Sequence, residues 1–254
     1  MPRVAQLNVA PVTSLALESR SEIQLERSGV AEDRRFFLVD TTGRLVDGLL
    51  AGPIVRVRAW TDPAATILRL TFPDGTVVED VVRLGEPIRT TMYDVIAEGH
   101  LVAGPWAAAL EGIAGRPVRV VRSDRAGGTR SGHPASLVTD GSLAELGRRL
   151  GTAAVDARRF RMLIELEGAA PHEEDTWVGG RVAIGEAILE ISAPVPRCAT
   201  TTHDPETGLR DLDTLGAIRE YRGLAGGKHL LFGVWGEVER PGLIRIGDEL
   251  TILA

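Results

Sequence analysis

Short stretches in which apolar and polar residues alternate recur through most of this sequence. Residues 54–60 and 66–72 alternate with a period of two, which is typical of a strand with one buried face. After the second stretch, Gly75 can adopt the positive φ of a hairpin turn that leads into a strand at 77–78. The remaining predicted strands are 4–9, 23–26, 36–40, 118–121, 160–166, 187–192, 230–238 and 243–246, the last two joined at a Pro241-Gly242 corner.

Helical signals are fewer. Ser142 is followed three residues later by Glu145, a capping box that predicts a helix over 143–150 ending at Gly151. Asp213 is the expected N-cap of a second helix that ends at Gly223, and a third helix is expected at 106–113. Many short strands with few helices predict a β-rich α+β fold.

The polar, Gly-rich segment 123–134 has no apolar periodicity and divides the 254 residues into two parts of ordinary domain size. The expected domains are 1–122 and 123–254, and a cleft between them is a default place for a ligand. Hydrophobic residues make up 44% of the chain and charged residues 25%, which is the composition of a globular protein and not of a disordered one.

Composition excludes several classes of protein. A single cysteine excludes an intramolecular disulfide and a four-cysteine metal or iron–sulfur site. The net charge of −6 argues against a dedicated nucleic-acid binder, and no apolar run is long enough to span a membrane. Polar residues interrupt the apolar stretch 4–17, so we expect no export signal and a cytoplasmic protein. Of the 29 basic residues only Lys228 is lysine, so an arginine here is not by itself evidence of phosphate binding.

Cys198 lies in a context unlike a core strand. Two prolines and Arg197 precede it, and a polar run from Ala199 to Gly208 follows it. A lone cysteine is most often a small buried hydrophobic residue. Here the adjacent arginine lowers the cost of a thiolate, so the thiol is a candidate nucleophile, sulfur carrier or ligand of a soft metal.

Each of the other candidate site residues has a structural interpretation as well as a functional one. Arg159 and Arg161 would share one face of a strand, where they could bind an oxyanion or simply form surface salt bridges. Asp33-Arg34-Arg35 has the same two interpretations, and Glu173-Glu174-Asp175 is expected to be a solvated turn. His203 is the histidine closest in sequence to Cys198, but a zinc site lacks the usual spacing. The solvated histidines are expected to be His100, His133 and His172.

A set of ordered motifs carries more information than spacing alone. In the second half they are Phe160-Arg161, Glu174-Asp175-x-Trp177-x-Gly179, Val195-Pro196-Arg197-Cys198-x-Thr200-Thr201-x-x-Pro205-x-Thr207-Gly208, Phe232-Gly233-x-Trp235 and Gly242-x-Ile244-x-x-Gly247-Asp248. In the first half they are Pro11-Val12-x-Ser14 and Gly29-x-x-x-Asp33-Arg34-x-Phe36-Phe37-Leu38-Val39-Asp40. Over nearly its whole length the chain therefore resembles the MOSC (molybdenum cofactor sulfurase C-terminal) family with its companion N-terminal β-barrel domain.

The resemblance implies a β-barrel MOSC domain that binds the molybdenum cofactor, with Cys198 as catalytic residue and metal ligand. It implies similarity to the amidoxime-reducing components, which reduce N-hydroxylated small substrates with electrons from a separate heme or iron–sulfur protein. A thiolate is a soft ligand that suits such a metal, and the neighbouring Arg197 and Thr200 would support it. The residues expected at the phosphate end of the pterin are Ser14, Arg34 and Arg161, and those expected near its ring or the oxo groups are Thr139 and Asp140.

Three departures from the family pattern leave alternatives open. Thr13 stands where a lysine is usual, Met162-Leu163 stand where Pro-Asn is usual, and the arginine expected near Asp47-Gly48 is absent. The first hypothesis is an oxo-molybdenum oxidoreductase. The second is a sulfur carrier or cofactor-handling protein with a persulfide on Cys198, and the third is a binding module that has lost catalysis. Pyridoxal phosphate binding is a further, weaker association of the same family.

Overall fold

A computed structural model describes residues 1–92, 95–125, 133–153 and 155–253. Strands dominate it, as expected of a β-rich α+β fold, and the fold-class prediction is confirmed. The strands are β1 Arg3–Val9, β2 Glu18–Arg20, β3 Glu22–Leu25, β4 Phe36–Val39, β5 Leu45–Val46, β6 Arg58–Thr61, β7 Ile67–Thr71, β8 Val77–Val81, β9 Arg83–Met92, β10 Val95–Ala103, β11 Arg119–Ser123, β12 Ala135–Thr139, β13 Ile164–Glu167, β14 Arg181–Ile184, β15 Ala187–Pro196, β16 Leu231–Arg240, β17 Gly242–Arg245 and β18 Leu250–Leu253.

Helices are short and cover little of the described chain. The α-helices are α1 Trp106–Ala114, α2 Asp140–Leu150 and α3 Thr214–Arg222. The 3-10 helices are Gly52–Arg56, Ala157–Phe160, Glu173–Trp177 and Ala199–Thr202.

The second half of the chain is built on one large sheet. Within the described residues its strand order is β18-β14-β15-β16-β12-β13-β1-β2, with β12 and β13 parallel and the other pairs antiparallel. One face packs a core that includes Leu7, Leu137, Leu189 and Val234, all with no exposed surface. A second apolar cluster, with Phe160 and Phe232 stacked at 4.5 Å, lies under α2 and α3.

The first half contains two smaller sheets around a separate core. In the described residues these are β5-β4-β11-β10-β9 and β6-β7-β8, and α1 packs between them through the fully buried Trp106. The indole nitrogen of Trp106 donates to the carbonyl of Leu68 (2.9 Å), so even its polar atom is satisfied in the core.

The beginning of the chain joins the sheets of the second half. β1 pairs with β13, and β3 pairs with β17. The Pro241-Gly242 corner does separate two strands as expected, but the second of them turns away to β3 and does not form a hairpin with β16. The two parts are thus linked by pairing between residues more than 150 positions apart. Most of the proposed boundary segment, residues 126–132, lies outside the described residues.

The predicted strands 54–60 and 160–166 both begin later in the structure than expected, because a short 3-10 helix precedes each of them. Residues 52–56 form a 3-10 helix with Pro53 in its first turn, and the strand begins only at Arg58. Ile54 and Val57, which looked like members of an alternating pattern, are buried three positions apart, a spacing that a helical turn also satisfies. At 157–160 a second 3-10 helix is capped by Asp156, whose carboxylate accepts from the amide of Arg158 (2.9 Å), and the strand begins at Ile164.

The helix signals locate each helix correctly and misplace one start. α2 begins at Asp140 with Thr139 as N-cap, three residues before the expected Ser142, and ends at Gly151 with φ +71 as expected. α3 is capped by Asp213, which accepts from the amide of Gly216 (3.1 Å), and α1 covers the expected 106–113. The Gly75 hairpin between β7 and β8 is confirmed, with φ +85 at the glycine.

Candidate functional site

An open cleft lies between the two halves of the chain. Its empty space amounts to about 390 Å³, with solvent at its mouth included. Residues from both halves line it, among them Ser14, Gly48 and Gly52 on one side and Arg161, Thr200 and His203 on the other. Neither half alone forms this cleft, so a ligand in it would contact both.

Cys198 lies at the end of β15, next to this cleft. Its side chain is exposed, and its thiol donates to the hydroxyl of Thr200 (3.4 Å), a residue of the cleft wall. The carbonyl of Cys198 accepts from the amide of Thr201 (3.2 Å) and so begins the 3-10 helix Ala199–Thr202. The thiol is therefore held at a structured position open to solvent, not in the apolar core where a lone cysteine usually lies.

Arg197 anchors the chain beneath this thiol. Its guanidinium donates to the carbonyls of Phe232 (2.7 Å) and Phe160 (3.0 Å) and lies over the ring of Phe160. Burial lowers the pKa of Arg197 to about 9, while the nearby Cys198 thiol and Glu174 carboxylate act in the opposite direction. Arg197 therefore stays cationic near neutral pH and places a positive charge beside the sulfur of Cys198.

The departure at Met162 has a structural counterpart. The sulfur of Met162 accepts from Nη2 of Arg197 at 2.9 Å. Where a polar residue of the family pattern is missing, this chain thus uses the thioether to hold the arginine that precedes the cysteine.

Arg34 and Arg161 join the two halves at the inner end of the cleft. Arg34 donates to the carbonyl of Arg161 (3.0 Å) and to the carboxylate of Asp33 (2.6 Å). Arg161 in turn donates to the carbonyl of Leu15 (2.7 Å). These reciprocal bonds place Arg161 on the wall of the cleft and Arg34 behind it.

Backbone strain is concentrated where Arg34 and Arg161 join the two halves, a junction that we call the seam. Ser14, Arg34 and Arg161 have φ values of +69, +53 and +52, a left-handed conformation that residues other than glycine rarely adopt. Strained backbone of this kind persists where the surrounding structure imposes it, and it clusters at ligand sites. The three residues expected at the phosphate end of a cofactor are thus brought together in space from positions almost 150 apart in sequence.

Thr139 and Asp140 are placed differently. The hydroxyl of Thr139 is fully buried and donates to the carboxylate of Glu174 (2.7 Å). Asp140 is exposed, and its carboxylate accepts from the amides of Gly141 (2.7 Å) and Gly168 (3.0 Å). Both side chains are used within the chain, at the start of α2, and neither lines the cleft.

Glu174 is the buried acid that sequence reasoning missed. The expectation of a solvated turn at 173–175 is wrong, because these residues form a 3-10 helix and the side chain of Glu174 has no exposed surface. Its carboxylate accepts from the hydroxyls of Ser142 (2.7 Å) and Thr139 (2.7 Å). The only sequence signal for this buried carboxylate was the pair of hydroxyl residues Thr139 and Ser142 near the start of the predicted helix.

Burial raises the pKa of Glu174, although the hydroxyls of Ser142 and Thr139 act against the shift. The native state therefore binds this proton more tightly than the unfolded chain does, and the contribution to stability is lost as the pH rises from about 4.3 through the raised pKa. We expect Glu174→Gln, which mimics the protonated acid, to gain stability relative to the natural protein between pH 4 and 8.

Urea denaturation of both proteins at a series of pH values measures this difference. Groups common to both, such as His172, cancel in the comparison. The exposed Glu111→Gln serves as the control and should give a curve parallel to that of the natural protein. If the free energy of unfolding of Glu174→Gln also follows the same pH dependence as that of the natural protein, the raised pKa of Glu174 is contradicted.

The side chains of Arg159 and Arg161 do not lie together on one face of a strand, as was expected. Because 157–160 is helical and Arg161 is left-handed, Arg159 turns inward and pairs with Asp211 through two bonds of 2.7 Å. Arg158 is held by Asp156 (2.7 Å) and also reaches Glu206. The strand interpretation of this oxyanion site is wrong, although Arg158, Arg159 and Arg161 all line the cleft.

The histidines are also less solvated than expected. His133 stacks on Trp235 (4.2 Å between ring centroids), and His172 is half-buried against Tyr221. His100 pairs with Asp124 at 3.0 Å, and His203 lines the cleft. Within the described ranges, no three histidine, cysteine or acidic side chains converge in a way that could hold a metal ion by themselves.

No helix in the described part of the chain is long and apolar enough to cross a membrane. The lone lysine, Lys228, is exposed in a turn near α3.

Two family models match most of the chain. The family model described as MOSC domain matches residues 123–251, and the one described as MOSC N-terminal beta barrel domain matches residues 1–92. Mitochondrial amidoxime-reducing component 1 of Mus musculus is 34% identical over 127 residues, which is 47% of this chain and 36% of that protein. The matched region thus spans about a third of that relative's length.

Two further similarities are more distant. Molybdenum cofactor sulfurase of Oryza sativa subsp. japonica is 29% identical over 108 residues, covering 39% of this chain and 13% of that protein. The crystal structure of the YUAD protein from Bacillus subtilis is 13% identical with a TM-score of 0.48, over 98% of this chain and 94% of that one.

Proposed function

Since the chain belongs to the MOSC domain family, we propose that the cleft between its two halves binds the molybdenum cofactor and that Cys198 is a ligand of the metal. One observation carries the proposal. The only thiol in the sequence is exposed beside a cleft that both halves line. A chain that used this cysteine for packing alone would bury it.

The residues present fit such a group. A thiolate is a soft ligand suited to a metal that is otherwise bound by the sulfurs of a pterin. Arg197 places a positive charge beside the sulfur, and Thr200 contacts the sulfur at the cleft wall. At the other end Arg161 and Ser14 would bind the phosphate, and Arg34 would hold Arg161 in place through its carbonyl.

We propose that the activity is reduction of N-hydroxylated or related small substrates. The bound cofactor would supply a metal centre that exchanges electrons and oxygen with the substrate. The chain itself would exclude bulk water with its two halves, orient the ligand by its arginines and present the sulfur of Cys198 to the metal. Because the sequence has one cysteine, the electrons would come from a separate heme or iron–sulfur protein.

Metal analysis of protein made in a host that synthesises the cofactor tests the proposal. We expect about one molybdenum per chain, and reduction of N-hydroxylated amidines when a chemical reductant replaces the electron donor. Protein without molybdenum from such a host would refute cofactor binding. Metal-replete protein that is inert toward a panel of N-hydroxylated compounds would favour the binding module.

A second candidate rests on the same exposed thiol. Cys198 lies at the surface with a hydroxyl at its side, so it could carry a persulfide sulfur for delivery to another protein. Intact-mass spectrometry separates the two functions. An adduct of about 32 Da, one sulfur on the thiol, without molybdenum would favour the sulfur carrier.

A further inference from the structure

His203 lines the cleft, and the functions proposed above give it no role. It ends the one-turn 3-10 helix that Cys198 begins, because Cys198 is the N-cap and His203 is the C-cap of Ala199–Thr202. At the rise of a 3-10 helix, about 2 Å per residue, the two cap residues are separated by roughly 10 Å. That spacing leaves room for a small substrate between a metal bound at Cys198 and the imidazole ring.

The backbone of His203 is fixed, while its ring is available. Its amide donates to the carbonyl of Thr200 (3.1 Å), and it forms an isolated antiparallel bridge with Arg210. Among residues 1–92, 95–125, 133–153 and 155–253, no hydrogen bond or ion pair engages either ring nitrogen. The imidazole is therefore held at the cleft wall with both nitrogens free to contact a ligand.

In the described part of the cleft wall, no other side chain readily exchanges a proton near neutral pH. The three arginines of the wall keep their protons. Ser14 and Thr200 offer neutral hydroxyls, and the carboxylate of Asp204 is an acceptor that takes a hydrogen bond from the amide of Thr207 (2.8 Å). Imidazole is the side chain that gains and loses a proton in this range.

Charged groups of both signs lie around His203. They are Arg158, Arg159, Arg161, Asp204, Arg210 and Asp211. The hydrogen bond from Arg159 lowers the pKa of Asp211, and the charge of His203 adds to this effect, so Asp211 lies near the ring. Because Arg159 already binds Asp211 through two bonds of 2.7 Å, the acid nearest in this arrangement is engaged by another residue.

We propose that His203 is the proton donor of the reduction, and that its imidazolium gives a proton to the nitrogen of the N-hydroxylated substrate as the N–O bond breaks. The inference rests on the function proposed above. Reduction of R–NH–OH to R–NH₂ and water consumes two electrons and two protons. The N–O bond breaks, an N–H bond forms and the oxygen leaves as water. The electrons come from the separate electron donor, His203 gives one proton, and solvent at the open mouth gives the other and reprotonates the ring.

Single turnovers of pre-reduced holoprotein test the proposal, because they measure the substrate step apart from electron delivery. His203→Gln keeps a polar side chain but cannot transfer a proton. We expect it to contain as much molybdenum as the natural protein and to lower the rate constant about 100-fold or more, with little change in the substrate concentration needed. The exposed His229→Gln lies outside the cleft wall and should leave the rate unchanged.

Two readouts separate proton transfer from a structural role. Imidazole added to His203→Ala, where the missing ring leaves space in the cleft, should restore part of the rate. In the natural protein the rate should fall as the pH rises and imidazole loses its proton, and this fall should be absent from His203→Gln. A variant that stays slow with imidazole and keeps the natural pH profile would assign His203 a structural role and overturn the proposal.

A measurement without turnover uses benzamidine, the product of reducing an N-hydroxylated amidine. Holoprotein labelled with ¹⁵N-histidine is titrated with it, and the ring signals of His203 should shift while those of His229 stay. Benzamidine that binds in calorimetry without shifting His203 would overturn the inference.

The outcome for the proposed function is distinguishable. Natural rates in His203→Gln, at full molybdenum content, would overturn the role of His203 and leave the reduction standing. Natural protein that lacks molybdenum, or that contains it and reduces no N-hydroxylated substrate, would refute the proposed function and the role of His203 with it.

Discussion

Protein carrying Cys198→Ala should contain less than about a hundredth of the molybdenum of the natural protein and should lose the reduction of N-hydroxylated substrates. Loss of a group that merely supports a metal ligand costs 10–100-fold in affinity, so loss of the ligand itself should reach at least the upper end of that range. Molybdenum by mass spectrometry and reduction rate with a chemical electron donor are measured on the same preparation.

Two controls make this result specific. Because Cys198 is exposed, its replacement should change the free energy of unfolding by no more than about 0.5 kcal/mol. The Cys198→Ser variant keeps an oxygen that can act as a poorer ligand, so it should retain more metal than the alanine variant. Equal molybdenum content in the natural protein and Cys198→Ala would show that the thiol is not a ligand.

Replacing Gly208 with alanine is expected to destabilise the protein by roughly 2–5 kcal/mol. Gly208 has φ +74, and an alanine in this conformation costs about 1–2 kcal/mol. A Cβ at this position would also overlap the carbonyl oxygen of Gly52 across the cleft, and overpacking of this kind adds about 1–3 kcal/mol. The two glycines touch each other from opposite walls, so the cleft should widen and the cofactor content should fall.

Gly75→Ala is the matched control. Gly75 has a similar φ of +85, but a Cβ there would meet no atom within 4 Å. It should therefore lose only the 1–2 kcal/mol of backbone strain. Chemical denaturation measures both variants, and equal losses would mean that the contact between Gly208 and Gly52 contributes nothing.

The sequence predicted elements well where the signal was local. The Gly75 turn, the caps at Asp213 and Gly151 and most strands depend on residues within a few positions, and all are present in the structure. The errors occurred where a short pattern fits two structures. Ile54 and Val57 satisfy both a strand and a helical turn, and Pro53 decided for the turn.

Whether a charged residue is buried could not be predicted from its neighbours in the sequence. Glu174 stands between two acids, a context typical of solvent, yet it is fully buried because α2 brings the hydroxyls of Ser142 and Thr139 to it. Arg159 likewise turns inward to meet Asp211, 52 positions away. The free energy of burying a charge depends on partners that only the packed chain supplies.

By itself the sequence determined the β-rich architecture, the family and the motif around Cys198, since each depends on the order of residues along the chain. The tertiary structure alone decided that Ser14, Arg34 and Arg161 meet at one strained seam and that Gly52 and Gly208 bring the walls of the cleft together. These contacts join residues far apart in sequence, and their geometry follows from how two packed cores fit together, which no local pattern encodes.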